Sequence, residues 1–168
     1  MELISEEYRR LNQQLHADRA DYGASGQKWA NTVRELAKSI PATTILDYGA
    51  GKRTLERALG FGICNYDPAV AEISAPPEPA DLVVCTDVLE HIEPERIDAL
   101  LDDLRRLTIR AVFLSVATRP AKKTLADGRN AHLIQQPMEW WLPKLWDRWK
   151  LRQFADMGGE FMLIGAPR

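Results

Sequence analysis

The sequence predicts an α/β domain: a mostly parallel sheet with helices on both faces and an antiparallel hairpin at its C-terminal end. Three observations carry this. Short apolar runs recur at residues 43–48, 62–67, 81–86 and 111–116, and read as strands buried on both faces. Helical patterns separate most of them. Gly158-Gly159 then joins two further strand-like runs, 150–155 and 160–164, as a hairpin.

The elements follow in order. Ile4, Tyr8, Leu11 and Leu15 repeat at helical spacing, and so do Trp29, Val33, Leu36 and Ile40. A turn-rich joint, residues 21–26, lies between them, and Pro41 stops the second helix. The run Ile45-Leu46-Asp47-Tyr48 leads into Gly49-Ala50-Gly51 and a short helix to residue 59. Residues 68–80 hold Pro68, Pro76, Pro77 and Pro79 and read mostly as loop. A helix over 94–107 buries Ile97, Leu100, Leu101, Leu104 and Leu107, with Pro94 where a first turn tolerates it. A polar loop spans 118–136, and Pro137 opens a short helix carrying Trp140, Trp141 and Leu145.

The 168 residues suit one domain, with residues 1–40 as a helical cap on a core from 41 to 168. Hydrophobic residues at 45% and charged residues at 27% are ordinary globular usage. A formal charge of −2 supplies no field to hold a long nucleic acid. No apolar run approaches the roughly 20 residues that span a bilayer, and the charged start does not read as a secretory leader. Cys64 and Cys85 form no CxxC pair and read as buried, inert thiols. A soluble cytoplasmic protein is the expectation; the oligomeric state is not legible.

In such sheets ligands bind beyond the carboxyl ends of the strands. Four ends carry polar content: 47–51, Asp67, 86–91 and 117–119. The glycine loop resembles the dinucleotide pattern, but Thr54 stands at the third glycine position. Asp47, just before the turn, would repel phosphate and attract an ammonium. Asp67, 18 residues after Gly49, can accept both hydroxyls of a ribose. An ammonium at one end and a ribose at the other describe S-adenosylmethionine.

On these residues the chain resembles the class I S-adenosylmethionine-dependent methyltransferases. Residues 45–51 look like their first motif, Asn65-Tyr66-Asp67-Pro68 like the acidic strand end, and residues 81–92 like the fourth-strand segment. The resemblance covers roughly residues 41–165 and implies a Rossmann-like fold. It implies cofactor contacts from Asp47, Tyr48, Gly49, Gly51, Asp67, Pro68, Thr86 and Asp87. The stretch between Asp67 and Asp81 is too short for a helix plus a third strand, so that region is expected to be reduced. The Asn/Asp-Pro-Pro-Tyr/Phe motif of amino-methylating DNA enzymes is replaced by Thr86-Asp87-Val88-Leu89, which disfavours base methylation of DNA.

Asp87, Glu90 and His91 fall at i, i+3 and i+4, and share one face if the chain turns helical there. Three readings stay open. They stabilise a helix start; or Asp87 or His91 is a general base; or Asp87, Glu90, His91 and the distant His132 hold a divalent cation, Mg²⁺ or Mn²⁺. The last set is similar to the metal site of small-RNA 3′-terminal 2′-O-methyltransferases, with Asp87 where a longer Glu is usual. Arg119, Lys122, Lys123 and Arg129 place positive charge near the same edge, either to meet an anionic substrate or as a solvated loop. The segment at 22–26 either closes over the methionine end of the cofactor or is plain linker; His16 reads as a surface residue. The clustered tryptophans near the end read as core and lid packing.

The function expected is methyl transfer from S-adenosylmethionine to a small or modest-sized acceptor, with oxygen favoured over nitrogen. Asp87 and His91 are the candidate catalytic residues. The alternatives are a metal-dependent RNA 3′-terminal 2′-O-methyltransferase, a non-catalytic cofactor-binding module that engages a partner and, more distantly, an NAD-dependent oxidoreductase.

Overall fold

The computed structural model describes residues 3–19, 22–23 and 25–168. Asp21 and Ala24 of the expected joint lie outside the described residues. The elements run α1 (Glu6–Asp18), a 3₁₀ turn (Gly26–Trp29) leading into α2 (Ala30–Ser39), β1 (Ile45–Tyr48), α3 (Thr54–Leu59), β2 (Cys64–Tyr66), β3 (Ala80–Thr86), α4 (Ile97–Leu107), β4 (Thr108–Ala117), α5 (Met138–Arg148), β5 (Trp149–Asp156) and β6 (Glu160–Pro167). They form one sheet in the order β2-β1-β3-β4-β6-β5. The first four strands are parallel, and β6 runs antiparallel to both β4 and β5. This is a Rossmann-like mixed sheet.

Strand alternation sorts the side chains into two cores. Leu46, Val83, Val112 and Leu114 face α1, α4 and α5, together with Trp141, Leu145 and the α4 stripe. Ile45, Leu82, Val84 and Phe113 face the 3₁₀ turn, α2 and α3, where Trp29 and Val33 pack. Helices therefore cover both faces, as the apolar strands require. The reversal of strand order falls between β1 and β3, so their carboxyl ends frame a crevice.

Two long-range hydrogen-bond sites, at Asp81 and Glu93, seat the ends of this framework. The Asp81 carboxylate accepts from the Thr43 amide at 2.8 Å and from the Thr43 hydroxyl at 2.7 Å, and from Arg110 Nε at 2.8 Å. That locks the start of β1 to the start of β3. Ser5 caps α1 through its hydroxyl, and its amide donates to Glu93 at 2.7 Å. The N-terminal helix is thereby fastened to the loop before α4.

Between β2 and β3 lie only a 3₁₀ turn (Ala71–Ile73) and irregular chain. The reduction expected there is complete among the described residues, and β2 is an edge strand. This corrects one expectation: Cys64 is exposed, because no neighbouring strand covers it, whereas Cys85 is fully buried in β3. No described helix is long and apolar enough to cross a membrane.

Leu101 is fully buried at the centre of the α4 stripe. Leu101→Ala is expected to cost about 2–5 kcal/mol of unfolding free energy, read from urea denaturation.

Candidate active site

The four strand ends singled out in the sequence converge on one cavity of about 630 Å³. Gly49 and Gly51 come from the end of β1, Asp67 and Pro68 from β2, Asp87 from β3, and Ala117 and Arg119 from β4. Residues of α1 and the segment after it form the opposite wall, including Asn12 and Tyr22.

The glycine loop is shaped by what surrounds it. Gly49 has φ +82°, and a Cβ there would lie 2.3 Å from a Val88 methyl. Gly51 has φ +47°, and a Cβ would lie 2.9 Å from the Gly23 carbonyl oxygen. Both positions exclude other side chains twice over, by conformation and by contact. The loop's amides are all engaged. Gly49 and Ala50 both donate to the Tyr66 carbonyl, at 2.7 and 3.0 Å. Gly51 donates to Asp67 Oδ2 at 3.0 Å, and Lys52 to the Gly23 carbonyl at 3.0 Å. A loop that cradles a pyrophosphate needs free amides pointing at it. This one offers close backbone approach instead, which suits a ligand without phosphate.

Asp67 is buried, and its two oxygens accept from Gly51 and Ala69 amides at 3.0 and 2.9 Å. Each oxygen keeps a lone pair for a hydroxyl. Asp47 is also buried but lies behind the loop, off the cavity wall, because alternation along β1 turns its neighbours Leu46 and Tyr48 to the other face. Burial, then the charges of Asp67 and Glu56, push its pKa up to about 7. Thr86 likewise stands off the wall, buried in β3 opposite Ser115. Tyr48 reaches the wall while its hydroxyl donates to Asp103 at 3.1 Å.

The cluster read at i, i+3, i+4 is divided by the backbone. Asp87 sits at φ +55°, and a 3₁₀ turn (Leu89–His91) follows it rather than an α-helix. Asp87 accordingly parts from the other three. Its carboxylate lies 3.7 Å from Lys28 Nζ and 3.5 Å from the Ser115 hydroxyl. Glu90, His91 and His132 do converge, each offering a ligand atom within 4.8 Å of the others. Asp87 thus leaves the four-residue metal set, and three residues remain.

Both imidazoles are oriented by carbonyls. His91 Nδ1 lies 2.7 Å from the Ala131 oxygen, and His132 Nδ1 lies 2.6 Å from the Arg119 oxygen. A carbonyl only accepts, so each Nδ1 carries the proton and each Nε2 keeps a free lone pair. Burial, then His132, lower the His91 pKa to about 4. Burial also lowers that of His132, helped by the Arg119 charge against the pull of the Arg119 carbonyl. Both rings are neutral at pH 7. Glu90 is fully buried: Oε1 accepts from the Ala117 amide at 3.0 Å, and Oε2 has no partner among the described residues. Burial, then the Asp87 charge, raise its pKa to about 8.

Several site residues were not legible as such. His16, read as a surface residue, is half-buried and lines the cavity, its ring 4.7 Å from that of Tyr22. Tyr22 donates to Asn12 Oδ1 at 2.7 Å and lies 3.4 Å from His91 Nδ1. Asn12 had a signal: a polar residue on the apolar stripe of α1, between Tyr8 and Leu15. Lys28 had none, since its ion pair with Glu160, at 2.7 Å, spans the chain. Arg129 pairs with Asp127 at 2.7 Å within its own loop and does not line the cavity.

Comparisons with known proteins agree with this geometry. The family model described as "Methyltransferase domain" matches residues 13–156. No curated protein matches the chain in sequence. Solved structures match in fold at low identity. The 1,6-didemethyltoxoflavin-N1-methyltransferase of Burkholderia thailandensis, with S-adenosylhomocysteine bound, is 14% identical with a TM-score of 0.66; the match covers 96% of this chain and 89% of that one. The magnesium protoporphyrin IX methyltransferase of Synechocystis PCC 6803, with S-adenosylmethionine bound, is 16% identical with a TM-score of 0.63, over 98% and 99%. The methyltransferase domain of a bacterial Hen1, CtHen1-CN, is 18% identical with a TM-score of 0.61, over 83% and 98%. With the family matched over most of its length and a cavity built at the switch point of a Rossmann-like sheet, the chain belongs to the methyltransferase domain family.

Proposed function

We propose that this chain methylates a small-molecule acceptor, with oxygen favoured over nitrogen. One observation carries the reading: a single cavity joins the glycine loop and Asp67 to two neutral imidazoles with free Nε2 atoms. Its volume is in the range of small-molecule sites. When bound, S-adenosylmethionine supplies an electrophilic methyl on a sulfonium. The protein's task is then to position the acceptor in line and take its proton. Asp67 holds the ribose hydroxyls, and Gly49, Gly51, Tyr48 and Pro68 shape the cofactor's bed. Asp47 contributes negative field from behind the loop. His91 Nε2 accepts the proton, because the Ala131 carbonyl fixes its tautomer. Asp87, engaged by Lys28, is a wall of the site and not its base. Residues of the first 40 close the chamber.

A second reading rests on Glu90 Oε2, a fully buried oxygen without a partner among the described residues, beside two free imidazole nitrogens. That donor set fits a divalent cation held by Glu90, His91 and His132. Such an ion, when bound, would polarise an acceptor hydroxyl and lower its pKa. The RNA 3′-terminal reading belongs with this arrangement.

Three measurements test these proposals. Calorimetric titration with S-adenosylhomocysteine is expected to show micromolar affinity, about −8 kcal/mol, and Asp67→Ala to weaken it at least about ten-fold; unchanged affinity overturns the ribose assignment. Asp47 gives a pH signature. Its folded pKa of about 7 is raised, so its stabilising contribution is present below the unfolded carboxyl range and lost as pH rises through 7. Free-protein Tm should fall across that window, while affinity for the cationic cofactor should rise and level off above it; Asp47→Asn should flatten both curves. For the metal reading, Mn²⁺ titration should give a saturable heat that His132→Ala abolishes, and no heat in the parent protein would remove it.

A further inference from the structure

The cavity is electrically divided, and its outer half is cationic. Its acids lie inward and are engaged: Asp67 by the loop amides, Asp87 by Lys28, and Glu90 by burial and the Ala117 amide. The outer wall holds Arg119, Lys122 and Lys123 on the chain leaving β4. Lys123 reaches into the chamber, its ammonium 5.4 Å from the centre of the Tyr22 ring. Neither the Arg119 guanidinium nor the Lys122 ammonium has an ion-pair or hydrogen-bond partner among the described residues. Elsewhere, surface cations such as Arg110, Arg129, Lys144 and Arg148 are paired with carboxylates. Arg10, Arg57, Lys150 and Arg152 also have no ion-pair partner among the described residues, but none of them lines the cavity, as Arg119 and Lys122 do.

The Arg119 backbone is part of the same construction. Its carbonyl orients His132, and its charge acts on that ring. The next turn of chain is tied to the C-terminal hairpin, where the Thr118 amide donates to the Gly159 carbonyl at 3.0 Å. The Arg119 side chain lies along Gly159, at ordinary van der Waals distance.

Resting on the small-molecule reading above, we infer that the acceptor is an anion: a small molecule with a carboxylate or phosphate that docks on Arg119, Lys122 and Lys123 while its nucleophilic atom faces His91. Arg119 and Lys122, without a partner among the described residues and beside a low-dielectric chamber, can recognise an anion by charge-assisted hydrogen bonds, with guanidinium and ammonium as donors. They also steer it inward from solution.

The test uses the full chain saturated with S-adenosylhomocysteine. Benzoate, phenyl phosphate and neutral benzyl alcohol are titrated separately, with protein NMR as the readout. The anions should bind at least about ten-fold tighter than the alcohol, and more weakly as salt rises. The ratio of benzoate to phenyl phosphate affinity distinguishes a carboxylate acceptor from a phosphate one. The double variant Arg119→Glu, Lys122→Glu should lose about ten-fold or more for the preferred anion, with affinity for S-adenosylhomocysteine reporting an intact fold. Equal binding of the alcohol, or no anion binding below about 10 mM, overturns the inference and leaves the cofactor site standing. A short RNA that binds about ten-fold tighter than phenyl phosphate also overturns it, in favour of a nucleic-acid acceptor. Failure to bind S-adenosylhomocysteine overturns the site reading itself.

Discussion

The loop after β1 is held by a run of amides, and the rest of the site depends on that fastening. Two donate to the end of β2 through the Tyr66 carbonyl, the third to Asp67, and the fourth to Gly23 of the N-terminal segment. The loop thus joins three parts of the chain that are distant in sequence. It sets Asp67 at the floor of the cavity and gives the cap a place to dock. Because the donors are spent inside the protein, selectivity comes from shape: two glycines where a Cβ would collide.

The second organising device is the position of the histidine pair. Both rings are fixed by carbonyls of the 119–131 chain, so the loop after β4 and not β3 alone decides where the nitrogens point. Desolvation keeps the rings neutral, and the adjacent Glu90 holds its proton for the same reason. The three groups Glu90, His91 and His132 therefore add little charge to the inner chamber. The cations on its rim act across a region that hardly screens them.

Most of the fold was legible because hydrophobic periodicity and tertiary structure agree here. Each apolar run became a strand within a few residues, and the α4 stripe buried as spaced. The cavity-lining glycines and Asp67 were legible because they stand at strand ends, where the chain must turn. What escaped depends on facts no local pattern encodes. Cys64 is exposed because a strand is missing beside it, not because of its own neighbours. Asp87 leaves the i, i+3, i+4 face because the backbone takes φ +55° there. Asp47 and Thr86 fall off the wall through the two-residue alternation of strands, which assigns a side but not which side holds the cavity. His16 and Lys28 owe their places to the docking of the cap.

The Lys28–Glu160 pair has a consequence for the order in which the molecule is made. Its partners are separated by 132 residues, and Glu160 opens β6, the strand inserted between β4 and β5. The ribosome delivers α1 and Lys28 well before their anchor. Until β6 emerges, the cap has its own helix but no seat on the hairpin. The chamber can be completed only after the β5–β6 hairpin has threaded into the sheet, so a nascent chain leaves its glycine loop and histidine pair open until β6 is in place.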